Sequence, residues 1–422
     1  MNALIIDAIR TPRGRGGAKG GALSEIRAAD LLAGLFTEMA TRHSGIEASV
    51  EDAIIGCATQ VGDQGGNVAK TAAIRANWPA TVSGLTVNRY CASGLSAVNL
   101  GAAQANTNET CYLAGGVEMM SRTPMFADKG ALFVDPEVAA SAAFVHPILG
   151  ADLVATLHDI SREDCDGYAA LSQQRAAAAR ESGAFKSIVP VRNAAGDVVL
   201  AQDETIRAGV TAEGLSDIAP SFSKIGNPAE LDRLKVLYPE LGDIKHVHHA
   251  GNAPAMADGA SLVLLANEES AKQQGLKPRA RILATAEANV AITQTGAVDA
   301  TLKALKRANL DIKDIDLWEA RDSFAAVTLH YIRTLGLDME RFNVNGSSIA
   351  IGHPLGATGA MLVSTLLDEM VARDLRYGVV AIAGAAGVAS ASACATATLG
   401  APKPFATTVT LNSSVMSGSI TV

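Results

Sequence analysis

Strand and helix signals alternate twice along this 422-residue chain, and in each half a Gly- or Ser-rich turn leads into a helix of small residues. In the first half, residues 3–8, 52–57, 83–88 and 110–115 read as strands, and residues 24–39, 69–76 and 93–106 as helices. In the second half, strands are expected at 279–287, 316–320 and 378–383, and helices at 300–308, 324–335 and 353–373; residues 259–266 fit a strand or a buried helix. Such a rhythm constrains the fold to α/β, with helices covering a sheet on both sides. Its repetition hints at an internal duplication. Between the halves, residues 123–244 change character, with an Ala-, Arg- and Gln-rich helix over 162–182 followed by polar, irregular runs. That stretch reads as an insertion.

Composition narrows the function classes. Hydrophobic residues make up 48% but aromatics only 4%, so small side chains must fill much of the core. The net charge of −8 argues against a broad nucleic-acid surface. Five cysteines without a CxxC pair form neither a disulfide framework nor a zinc pattern. Their odd number fits a reducing compartment, and the N-terminal segment shows no signal peptide, so a cytoplasmic location is expected. Residues 378–402 carry no charge and are long enough to cross a bilayer. They are mostly Ala, Gly, Ser and Thr, so a membrane span is rejected.

Three motifs carry chemistry. In Asn88-Arg89-Tyr90-Cys91-Ala92-Ser93-Gly94 a strand ends and a helix begins beside a thiol. Unpaired N–H groups and the positive end of the helix dipole favour thiolate there, although a lone cysteine is more often a buried structural one. In the run from Asn345 to Gly359, glycines, serines and Pro354 crowd around His353. A histidine at a helix start can take a proton from a thiol or polarise a carbonyl. The third motif, His246-Val247-His248-His249-Ala250-Gly251-Asn252, lacks an acidic or Cys partner for a metal site. A tight turn near a ligand pocket explains its Gly and Asn better.

These blocks, with Gly115-Gly116-Val117-Glu118-Met119-Met120-Ser121 and the opening Arg10-Thr11-Pro12-Arg13-Gly14-Arg15-Gly16, resemble the thiolase family in order and kind over about residues 1–380. The likeness is strongest to the acetyl-CoA acyltransferase branch of fatty-acid β-oxidation. It implies a five-layer αβαβα arrangement of two related halves: residues 1–122 with 245–270, then 271–383, with 123–244 as an inserted loop domain and 384–422 as an atypical tail. It further implies cleavage of a 3-ketoacyl-CoA by CoA, or condensation of acetyl-CoA, through an acyl-thioester on Cys91. His353 would activate Cys91 and polarise the substrate oxygen, and the Cys91 N–H would help bind an oxyanion. Gly352, Asn252 and Pro254 fall at substrate-binding positions. CoA enters as a substrate; no cofactor or metal is implied, and a homodimer or homotetramer is.

Two positions break the pattern. Ala383 stands where thiolases carry a second, acid/base Cys, and Arg321 stands where they carry Asn or His on a catalytic water. A methyl group exchanges no proton, and a guanidinium stays charged. Pro254, in place of a common Ser, is a milder change. The resemblance therefore admits an alternative: an impaired or inert relative that binds or slowly hydrolyses acyl-CoA. From Leu375 onward acidic residues vanish, and Arg376 and Lys403 are the only charges. Beside a missing motif, this suggests a C-terminus shifted out of its ancestral reading frame.

Overall fold

A computed structural model describes residues 3–222 and 228–397. The strands are β1 (Ala3–Arg10), β2 (Gly14–Arg15), β3 (Val50–Gly56), β4 (Ser83–Val87), β5 (Cys111–Met119), β6 (Val191–Arg192), β7 (Val198–Leu200), β8 (Ala257–Ala266), β9 (Ala280–Asn289), β10 (Leu317–Ala320), β11 (Tyr377–Ala383) and β12 (Val388–Thr396). The longer helices are α1 (Ala28–Arg42), α2 (Val68–Arg75), α3 (Ser93–Asn108), α4 (Pro147–Leu157), α5 (Arg162–Ser182), α6 (Pro228–Leu237), α7 (Ala297–Ala308), α8 (Ala325–Leu335) and α9 (Leu355–Ala372).

Hydrogen bonding runs through one mixed sheet in the order β10-β11-β12-β9-β1-β8-β5-β3-β4. Its two halves meet where β1 and β9 pair antiparallel from Ala3 to Ile5. Each half has the same plan. In the first, β3 lies between parallel β4 and β5, and antiparallel β8 and then β1 follow. In the second, β10 lies between parallel β11 and a parallel bridge from Trp318 to Phe342, and antiparallel β12 and then β9 follow. Helix α3 connects β4 to β5, and α9 occupies the corresponding place between the Phe342 bridge and β11.

Three apolar clusters show five layers. The first places α1 and α2 (Leu32, Leu35, Phe36, Ala72) on the outer face of the first half-sheet. The second places α7 and α8 (Ala304, Leu305, Tyr331, Leu335) on the outer face of the other half. Between the half-sheets lie α3 and α9, where Leu95, Val98, Leu362 and Leu366 meet Ile54, Val263, Val380 and Ile382. The uncertain stretch at 259–266 is a strand, β8, every residue of it buried. Both faces of its sheet are covered, so it reads as an apolar run without alternation.

The central helices cross at glycines. A Cβ on Gly94 would lie 2.5 Å from the Gly356 carbonyl oxygen, and one on Gly359 would lie 2.4 Å from the Leu95 nitrogen. Any side chain would push the helices apart. This crossing brings together the N-terminal ends of α3 and α9, and hence the two chemically promising turns.

The tail boundary at 384 needs correction. Residues 388–396 form β12, which pairs with β11 on one side and β9 on the other. Its Ala and Ser side chains are buried because helices cover both faces, and this burial explains the missing charges without a change of frame. The composition of residues 388–396 therefore needs no shift in reading frame; residues 398–422 lie outside the described residues. The uncharged stretch from 378 is a strand pair, not a span. Among the described residues one helix, α9, is long and apolar enough to cross a membrane, and it is a buried core helix.

Candidate active site

A cleft of about 800 Å³, open to solvent, lies at the helix ends. Its wall includes Cys91, His353, Arg321 and Pro254. Met120, Met125, Phe126, Phe133 and Leu355 make much of it apolar.

Cys91 is half-buried, two residues before α3 begins. The turn that holds it is tightly bonded. Asn88 Oδ1 accepts the Tyr90 N–H at 2.8 Å, and Ser93 Oγ accepts the Arg89 N–H at 2.8 Å while donating to the Tyr90 carbonyl at 2.6 Å. Tyr90 has φ of +49°, a left-handed conformation that a bulky residue adopts only under constraint. Arg89 forms an ion pair at 2.6 Å with Glu287 of β9, so the second half-sheet anchors the nucleophile turn of the first. Together these contacts present the thiol at the helix start, where the dipole favours negative charge.

His353 is buried in the wall. Its N–H donates to the Ala255 carbonyl at 2.8 Å, and its Nδ1 lies 2.7 Å from Thr358 Oγ1. The single proton of the Thr358 hydroxyl goes to the Pro354 carbonyl at 2.8 Å. Thr358 must then accept from His353, which assigns the proton to Nδ1 and leaves Nε2 with its lone pair. That Nε2 is buried and, among the described residues, has no protein partner. Burial pushes the imidazole well below the ordinary histidine range, and the charges of Arg321 and Arg13 push it further. The ring is a neutral base at physiological pH.

The other expected residues divide. Pro254 lines the cleft and precedes Ala255, whose carbonyl holds His353. Gly352 is not among the lining residues. Its φ is +90°, and an added Cβ would lie 2.8 Å from Ala257 Cβ, so it lets the His353 turn lie against β8. Asn252 is also away from the cleft: its amide donates to Asp166 at 2.8 Å and to the Val247 carbonyl at 3.0 Å, and its oxygen accepts the His249 N–H. Every polar atom of that side chain serves the turn. Ala383 does not line the cleft either; its methyl joins the outer cluster with Ala320 and Ala381. Arg321 donates to the Ala383 carbonyl and, at 3.4 Å, to Gln294 Oε1 and the Ser323 carbonyl.

The three histidines 246, 248 and 249 sit in a loop rather than on a strand face. His246 and His248 share Asp152, and His249 bonds Asp166. His248 Nε2 also accepts the Ala326 N–H at the start of α8, so this cluster ties the insertion to the second half.

Sequence reasoning gave Glu118 no role. Its buried carboxylate accepts from the Ala58 and Thr59 N–H groups, the Gln64 amide and the Gly356 N–H, all at 2.7–3.1 Å. It thereby fastens a cleft-lining loop of the first half to the start of α9. Burial pushes its pKa up while the four donors pull it down. A lone Glu inside an otherwise apolar strand was the available signal.

Fold and cleft define an enzyme with a half-buried thiol and a neutral imidazole at paired helix starts. The thiolase N-terminal domain family model matches residues 3–269, and the thiolase C-terminal domain model matches residues 276–396. A 3-ketoacyl-CoA thiolase from Cronobacter sakazakii is 39% identical over 388 residues, 89% of this chain and 94% of that protein. One from Vibrio parahaemolyticus is 40% identical over 391 residues, with the same coverage. The crystal structure of a Bacillus anthracis acetyl-CoA acetyltransferase superposes with a TM-score of 0.79 at 31% identity, covering 94% of this chain and 98% of that one. The chain belongs to the thiolase family of acyl-CoA acyltransferases.

Proposed function

We propose that this protein cleaves a 3-ketoacyl-CoA with CoA, or condenses acetyl-CoA in reverse, with Cys91 as nucleophile and His353 as base. The neutral, unpartnered Nε2 of His353 in the same wall as Cys91 supports this reading. In cleavage, Nε2 takes the thiol proton and Sγ attacks the 3-keto carbon. The bond to the acetyl-CoA carbon breaks, and its electron pair takes a proton. CoA sulfur then attacks the acyl-thioester and frees Cys91. The acyl end faces the insertion, residues 123–244 in this reading, which contributes Met125, Phe126 and Phe133 to the wall. CoA is a substrate and no metal or prosthetic group takes part. The chain works as a homodimer or homotetramer in the cytoplasm.

One observation favours a slower variant of this chemistry. Among the described residues Cys91 is the only thiol lining the cleft, and Cys394 is buried within β12. Proton return to carbon then falls to His353, at an expected cost of roughly 10²–10⁴-fold against an enzyme with a dedicated acid. Acetoacetyl-CoA plus CoA, followed by loss of ketoacyl absorbance and by mass detection of acylated Cys91, separates the outcomes. Turnover that Cys91→Ala abolishes supports the full cycle. Acylation without turnover supports the half-reaction, and CoA binding without either supports an inert relative.

A further inference from the structure

Among the described residues of the cleft wall, Arg321 is the only permanent cation, and the chemistry above gives it no part. It is 6% exposed. Its guanidinium donates to the Ala383 carbonyl and, more loosely, to Gln294 Oε1 and the Ser323 carbonyl at 3.4 Å. Ala383 leads directly into Gly384, which packs on the nucleophile: an added Cβ there would lie 3.2 Å from the Cys91 nitrogen and 3.5 Å from its Cβ. The guanidinium is thereby fixed beside Cys91, near enough for the two charges to act on each other. It acts on His353 as well. Burial lowers its pKa, but a guanidinium remains a cation at physiological pH.

The other charged and titratable groups nearby do not take over this cation. Asp322 also acts on Arg321, but it lies outside the cleft wall, and the Tyr168 and Ser172 hydroxyls and the Asn343 amide engage its oxygens. Arg13, buried in the N-terminal turn, adds its own charge at His353. In the wall itself, Asp128 is exposed and screened by solvent. Burial pushes His146 down and Tyr90 up, so both are neutral. The Cys91 sulfur is therefore the anion in the cleft that Arg321 serves, and the His353 imidazolium is the cation that it opposes. In a low-dielectric wall a fixed charge counts for far more than in water.

We propose that Arg321 sets how many protons the Cys91–His353 pair carries: its fixed charge favours the thiolate, opposes the imidazolium, and so expels the shared proton toward the departing CoA sulfur or the acetyl-CoA carbon. This rests on the acyltransferase reading. In loading, Nε2 takes the Cys91 proton, the Sγ–acyl bond forms, the acyl–S bond to CoA breaks, and His353 returns the proton to the CoA sulfur. In the second half-reaction CoA gives its proton to Nε2, and its sulfur bonds the acyl carbon. The electron pair of the broken Sγ–acyl bond returns to Cys91, where Arg321 again faces a thiolate. With Ala383 in place of a second thiol, ready release of the proton matters most, because His353 must also protonate the acetyl-CoA carbon.

The test is the pH profile of Cys91 alkylation by iodoacetamide, followed by intact-protein mass, beside single-turnover acylation by acetyl-CoA. The other four cysteines are buried, so the first label reports Cys91. Arg321→Gln should slow both reactions about tenfold or more at neutral pH, with KM for acetyl-CoA nearly unchanged. The deficit should vanish at alkaline pH, where hydroxide strips the pair unaided. Arg321→Lys keeps the charge and should keep most of the rate. In wild-type protein, anionic iodoacetate should gain on neutral iodoacetamide relative to their rates on free cysteine. Equal rates in Arg321→Gln and wild type overturn the proposal. So does a deficit that persists at every pH or that Arg321→Lys shares in full, since a lost structural prop behaves that way. An iodoacetate preference no higher than that of free cysteine overturns it as well, and this arm needs no variant to fold. If Cys91 alkylates as expected but no acyl-CoA loads it, the acyltransferase reading fails while the charge on the pair stands.

Discussion

Cys91 and His353 stand at corresponding places in the two halves, each just before a central helix, yet their surroundings differ in kind. The Cys91 turn carries a left-handed Tyr90, is held from outside by Glu287, and leaves its thiol half-exposed. The His353 turn carries a left-handed Gly352, is held from within by Thr358 and Ala255, and buries its ring. A nucleophile must reach solvent-borne substrate, whereas a base gains from burial that keeps it neutral. One repeated backbone thus serves two chemical ends, and the difference lies in which side chain occupies the turn and how deeply it is set.

That contrast can be broken from either side. Cys91→Ala should abolish acylation outright, read as no mass shift with any acyl-CoA. His353→Ala should slow acylation by roughly 10²–10⁴-fold, the usual range for a lost general base. Thr358→Val should cost about tenfold, since losing one hydrogen bond of roughly 1.4 kcal/mol frees the other tautomer; rapid-quench acylation rates would register it.

Acidity sharpens the same comparison. His353 is held below the ordinary range, so the acid limb of acylation should fall below pH 6.5 rather than at it. Arg321→Gln removes a repelling charge and should move that limb upward in a pH–rate profile. The linked stability has the same sign: the unfolded imidazole protonates first, so this contribution is present above about pH 6.5 and is lost as pH falls toward the folded value. The smallest effect is expected outside the cleft. Glu287→Gln weakens a half-exposed pair and should lower kcat a few-fold with KM nearly unchanged.

Much of this was legible in the residue order. The helix over 162–182 is marked by Ser161 at its cap and Gly183 at its end, and α5 runs from Arg162 to Ser182. The two reactive turns announced themselves by Gly and Ser next to a Cys or a His. Asn252 was half legible: the Gly and Asn of its motif pointed to a tight turn, which its side chain bonds, whereas its substrate-binding role came only from the family likeness. The segment after Ala383 misled: a strand covered on both faces by small side chains has no periodicity to read.

The sequence by itself determined the α/β alternation, its repetition and the two chemical side chains, because each is encoded by local spacing and caps. Only the tertiary structure decided the rest. The tautomer of His353 depends on a threonine whose own proton is committed elsewhere, and the role of Glu118 on four donors from separate segments. Hydrogen-bond partners and counter-charges are matters of distance in space, and spacing along the chain does not fix them.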